Sequence, residues 1–179
     1  VTLLNYGVLG TSVSHTSILD IVDGATVNLG TTTQYAGEIS AEGDKAIAGT
    51  GTLTLDRGGL IGGDNVGFSG IVLVLDETLT INDAESLGSG QANLSGDSVL
   101  SIESVSGTDG GYAVIDNVIT GSGSVSVASD SVVELTGTNN FTGGLNIAGD
   151  LLAAGDVSAH IGSGAVKIET DGKAVFAGS

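Results

Sequence analysis

A parallel β-helix of roughly eight rungs is the fold this sequence predicts, and three observations predict it. Short apolar-alternating runs recur along the whole chain without any helical period. The chain repeats itself at a nearly constant offset of roughly 73 residues. It carries 31 Gly but only three Phe, three Tyr and no Trp, and no Asn-Gly hairpin turn. Sandwiches and antiparallel barrels advertise such turns and an aromatic core. A solenoid needs small aliphatics that stack in ladders, and Gly or Asn at tight corners.

The strand-like runs come in order at Thr52–Leu55, Ile71–Leu75, 79–81, Val99–Ile102, 125–127, Val132–Leu135, Leu145–Ile147, 165–168 and 174–176. Each sets β-branched residues or Leu against Thr, Ser, Asn or Lys, the pattern of a half-buried strand. Gly, Asn, Asp and Ser punctuate them at short intervals. Val99, Val125, Leu135, Ile147 and Val166 are expected to line a continuous aliphatic core. No helix is expected.

Three landmarks carry the repeat. Gly49-Thr50-Gly51 returns as Gly121-Ser122-Gly123, Phe68-Ser69-Gly70 as Phe141-Thr142-Gly143, and Leu87-Gly88-Ser89-Gly90 as Ile161-Gly162-Ser163-Gly164. One such unit is too long for a single rung and suits roughly three. The chain then divides into less regular rungs at 1–48, a first repeat unit at 49–120 and a second, most regular unit at 121–179, all in one solenoid. At about 20 to 25 residues per rung and ~4.8 Å between strands, the rod would be on the order of 40 Å long.

Composition excludes several functions. The chain has 179 residues with 21 acids against four bases, a formal charge of −17. Lys45, Arg57, Lys167 and Lys173 are too few to neutralise nucleic-acid phosphates or to hold an anionic membrane. No apolar run approaches the ~20 residues of a membrane helix. Absence of Cys removes disulfides, thiolate metal sites and thiol chemistry. The start at Val1, without a basic and apolar leader, reads as a mature or excised segment.

The stretch from Val133 through Leu152, with Gly137, Asn139, Asn140, Phe141, Thr142, Gly143, Gly144, Gly149 and Leu151, resembles the passenger-associated repeat of bacterial autotransporters. Ile161-Gly162-Ser163-Gly164-Ala165-Val166 matches that repeat's usual continuation. Residues 133–178 fit closely and 49–102 more loosely, with Gly58-Gly59 and Gly62-Gly63 displaced; 1–48 match in texture alone. The resemblance implies a right-handed parallel β-helix exported by type V secretion. It would lie at the surface of a Gram-negative bacterium, anchored at the outer membrane by a C-terminal β-barrel of the same polypeptide. An adhesin or virulence-factor role follows, with a host-cell or bacterial surface protein or glycan, or another copy of the chain, as partner. The C-terminal part would act as an autochaperone, so 121–179 are expected to be the most stable rungs and a template for folding.

Site chemistry is sparse. His15 and His160 stand near opposite ends of the chain and are expected at the surface or at corners rather than in catalysis. No Gly-x-Ser-x-Gly elbow occurs. The alternative function is a polysaccharide-active β-helix enzyme. A lyase would need more bases, and a glycosidase needs a defined carboxylate pair with aromatic platforms. Asp20, Asp23, and Asp64 with Asn65, invite a calcium reading, but neither the EF-hand nor the nonapeptide spacing is present. Gly107-Thr108-Asp109-Gly110-Gly111 is the nearest approach. The sequons at Asn93 and Asn140 read as fortuitous, with Asn140 serving the turn ahead of Phe141. Gly-Ser-Gly at 88–90, 121–123 and 162–164 lacks the Lys and helix of a phosphate loop, and is expected to form tight corners. No catalytic, cofactor-binding or metal-ligating residue is expected, and contacts to a partner should be broad and built from repeated polar side chains.

Overall fold

The computed structural model describes residues 2–4, 19–21, 26–30, 37–39, 47–55, 59–62 and 65–178. It is a parallel β-solenoid of about six turns with almost no helix. In chain order the strands are β1 Thr2–Leu4, β2 Leu19–Ile21, β3 Thr26–Gly30, β4 Gly37–Ile39, β5 Ile47–Gly49, β6 Thr52–Leu55 and β7 Gly59–Ile61. Then follow β8 Ile71–Leu75, β9 Thr78–Ile81, β10 Gln91–Ser95, β11 Val99–Ile102, β12 Ala113–Ile115, β13 Ile119–Gly121 and β14 Ser124–Val127. The last are β15 Val132–Leu135, β16 Leu145–Ile147, β17 Asp150–Gly155, β18 Val166–Ile168 and β19 Lys173–Gly178.

The strands form a six-stranded sheet (β1-β3-β6-β8-β10-β13), a seven-stranded sheet (β4-β7-β9-β11-β14-β16-β18), a four-stranded sheet (β12-β15-β17-β19) and the pair β2-β5. Every pairing is parallel, so each strand stacks on the one from the preceding turn. Every sequence-predicted run coincides with a strand, to within two residues at its ends. A one-turn helix α1, Val157–His160, and a 3-10 turn, Thr108–Gly110, are the helical exceptions among the described residues.

The expected eight rungs are corrected to about six. The most regular rungs are short, as from Thr52 to Ile71 and from Ile71 to Gln91. Others are longer: Thr2 pairs with Asn28, Ala92 with Ile119, and Val99 with Ser124. The loop around Thr108–Gly110 sits inside the longest of the described later rungs and lengthens it.

Alternation places one side chain in two inside, and the interior columns are in register. Leu53, Val72, Ala92 and Ile119 form one, Leu79, Leu100, Val125 and Leu145 another, and Ile81, Ile102, Val127 and Ile147 a third. All of these are at most 1% exposed. Each ladder buries branched aliphatics against their neighbours above and below, which is the main stabilising term of the fold. Val125, Leu135 and Ile147 are buried as expected. Val99 is a correction: Leu100 and Ile102 take the interior positions of β11, so Val99 faces outward. Val166 is a second. It pairs with interior Leu145 but is 38% exposed, because β18 is the outermost strand of its sheet and nothing described covers it.

Candidate functional site

The sequence repeat is a corner, built twice across three successive rungs. In the first copy, Phe68 is fully buried and the Ser89 N–H of the next rung donates to its carbonyl at 2.9 Å. In the second, Phe141 is fully buried and the Ser163 N–H donates to its carbonyl at 3.0 Å. The glycines flanking each serine let that rung settle onto the ring. A Cβ on Gly90 would stand 2.9 Å from the Phe68 ring, and one on Gly162 would stand 2.9 Å from two carbons of the Phe141 ring. Gly88 and Gly162 also have φ of +55° and +67°, which L side chains rarely adopt. Below each Phe, Gly70 leaves room for the Gly51 carbonyl, and Gly143 for the backbone of Ser122 and Gly123. The expected tight corners are therefore observed at all three Gly-Ser-Gly sites.

A buried Asn completes each corner, and in the second copy it is Asn139 beside the turn residue Asn140, whose own N–H donates to the Ile119 carbonyl at 3.0 Å. Asn140 is exposed; Asn139 is 5% exposed and does the bonding. Its Nδ2 donates to the His160 carbonyl at 2.7 Å, and its Oδ1 accepts from the Ile119 N–H at 2.8 Å. One side chain thus ties three rungs together. Asn65 occupies the matching place in the first copy, donating from Nδ2 to the Ser86 carbonyl at 2.8 Å. The two also share a backbone bond to the rung above, Asn65 N–H to Glu85 and Asn139 N–H to Ala159. Asn117 works downward, donating to the Gly88 and Gly90 carbonyls at 2.8 and 2.9 Å. Asn65 and Asn139 stand at the same offset as the other landmarks of the repeat, and that was the available signal.

The remaining candidates are dispersed. His160 sits at a corner, its Nδ1 2.9 Å from the Gly137 carbonyl. Asp20 lies on β2, and His15, Asp23, Asp64, Lys45 and Arg57 fall outside the described residues. Asn65 holds the corner through its side-chain bond to the Ser86 carbonyl. Asp109 is exposed in the left-handed region of its 3-10 turn. No group of three or more His, Cys, Asp or Glu could hold a metal among the described residues. Asn93 is half-buried on the outer face of β10.

Acids also stitch exposed corners. Asp130 accepts from both the hydroxyl and the N–H of Ser104, and these bonds hold its carboxyl below the usual range. Asp156 is lowered chiefly by the Ser158 hydroxyl, at 2.6 Å, with His160 adding to the effect. Asp76 accepts from the Asp97 N–H one rung on, at 3.0 Å.

The outer faces differ in chemistry. On the seven-stranded sheet the outward column Thr80, Ser101, Ser126, Asn146 and Lys167 is polar. On the four-stranded sheet the column Val114, Glu134, Leu152 and Val175 is mostly aliphatic. Fold and site together define a parallel β-solenoid with a twice-built corner. Compared with known proteins, the chain matches no family model, no curated protein and no solved structure. Among the described residues no helix is long and apolar enough to cross a membrane.

Proposed function

We propose that the chain is a passenger segment of a bacterial autotransporter: an extracellular adhesive rod whose C-terminal rungs aid its own folding during export. One observation carries the reading. The residues of the passenger-like motif, Asn139, Phe141, Gly143 and Gly162 to Gly164, are the ones that lock one rung onto the next. Such a motif suits a chain that must fold rung by rung as it emerges. Zero Cys is compatible with passage through a narrow pore, and a charge of −17 keeps a rod soluble outside the cell.

In this reading the rungs of 121–178 emerge first, and their unpaired strand edge templates the next rung. The test joins the chain to a signal peptide and an outer-membrane barrel in a Gram-negative host. The whole chain should reach the surface in protease-resistant form. Deleting 121–178 should leave the upstream rungs protease-sensitive while the barrel still inserts. Unchanged resistance after that deletion would remove the folding role, and failure of the whole chain to reach the surface would remove the passenger reading.

A further inference from the structure

We propose that the outer face of the four-stranded sheet binds an extended polypeptide segment of another protein that carries Lys or Arg among aliphatic residues. Val114, Glu134, Leu152 and Val175 stack in register down four rungs of this face. Val114 and Val175 are each 47% exposed, and Tyr112, one residue before β12, is 39% exposed. A carboxylate therefore interrupts an otherwise aliphatic column.

The neighbouring column shows what that carboxylate lacks. There Val132, Asp150 and Lys173 stack in register, and Lys173 answers Asp150 at 3.3 Å from the next rung. The one other ion pair among the described residues is Lys167 with Glu169. Both described lysines are thus engaged, and Glu134 has no basic partner among the described residues. A half-buried carboxylate between aliphatic neighbours gains from a charge-assisted bond to an incoming cation.

The occupant follows from this chemistry. A second copy would bring the same charge of −17 to the face. A basic segment complements both the column and the chain. Three steps down the column span roughly 14 Å, the reach of four or five extended residues. Aliphatic side chains of such a segment would cover Val114 and Val175 while its cation meets Glu134.

This inference rests on reading the chain as a binding rod. It is tested on purified chain in solution, so its failure leaves the export reading standing. The probe is a blocked nine-residue peptide alternating Lys with Val, titrated calorimetrically beside a counterpart with Glu in place of Lys. The Lys peptide should bind, several-fold more weakly at about 300 mM than at about 50 mM salt, and the Glu peptide should not. Glu134→Gln should weaken binding about five- to tenfold, and Val114→Ser combined with Val175→Ser should abolish it, with circular dichroism and Tm unchanged. As a charge control, Asp171→Asn should leave the affinity unaltered. Equal binding of the two peptides, equal effects of Glu134→Gln and Asp171→Asn, or indifference to the double Val variant would each overturn the proposal. So would dimerisation through this face, or occupation by a neutral glycan instead.

Discussion

At the residue scale the corner glycines make the sharpest claims. Gly162 combines a φ of +67° with a Cβ position 2.5 Å from the Phe141 carbonyl, whereas Gly155 has a φ of +82° and nothing within 4 Å. Gly162→Ala should therefore cost roughly 2–4 kcal/mol, and Gly155→Ala only about 1 kcal/mol from backbone strain, in denaturant titrations. Asn139→Ala leaves a buried N–H and a carbonyl without partners and should cost about 2–3 kcal/mol; exposed Asn140→Ala should stay within about 0.5 kcal/mol. Equal costs at 139 and 140 would contradict the corner as described. Asp130 carries a pH prediction. Because its folded-state pKa lies below the ordinary value near 3.9, its contribution is present above that value and lost as pH falls through the depressed one. Tm measured from about pH 6 down to about pH 2 should fall less steeply on the acid side in Asp130→Asn, from a lower plateau near neutrality.

At the element scale, alternation was legible and its phase was less so. Val132–Leu135 and Leu145–Ile147 read directly as strands because each has an unbroken apolar face. In β11 the run Val99-Leu100-Ser101-Ile102 offers apolar residues on both faces at its start, so its parity rests on Ser101 alone, and the inward place expected of Val99 belongs to Leu100. Gln91–Ser95 carries too weak a signal to read as a strand alone, because only Ala92 and Leu94 point inward among polar neighbours. Its place is fixed by the rungs on either side, Ile71–Leu75 and Ile119–Gly121, which no local window contains. The corner Asn residues were hidden for the same reason: their partners lie a full rung away in the chain. The phase can be checked directly. Leu100→Asp places an unpaired charge in the core and should lower stability by several kcal/mol, while Val99→Asp should cost under about 1 kcal/mol. Comparable losses at the two positions would contradict the assignment.

At the scale of the whole molecule, the solenoid is a stack in which each rung contacts its neighbours, so stability sums over rungs and interfaces. The repeat was legible as a constant offset between landmarks, but its physical unit was not: two rungs carry the Phe and the glycines that seat on it, and the third supplies the floor. Rung count was overestimated because the longer turns, such as Ala92 to Ile119, carry no periodic mark in the sequence. In-register parallel stacking is the claim on which the corner, the columns and the proposed binding face all depend. The chain has no Cys, so engineered pairs report without background. Ser101 and Ser126 are register partners on the outer face of the seven-stranded sheet, and Thr80 lies one rung further from Ser126. Adjacent strands ~4.8 Å apart fall within disulfide reach, and two rungs, ~10 Å, do not. Under mild oxidation Ser101→Cys with Ser126→Cys should form an intramolecular disulfide at full yield, and Thr80→Cys with Ser126→Cys should remain reduced; a disulfide in the second pair, or none in the first, would contradict the stack.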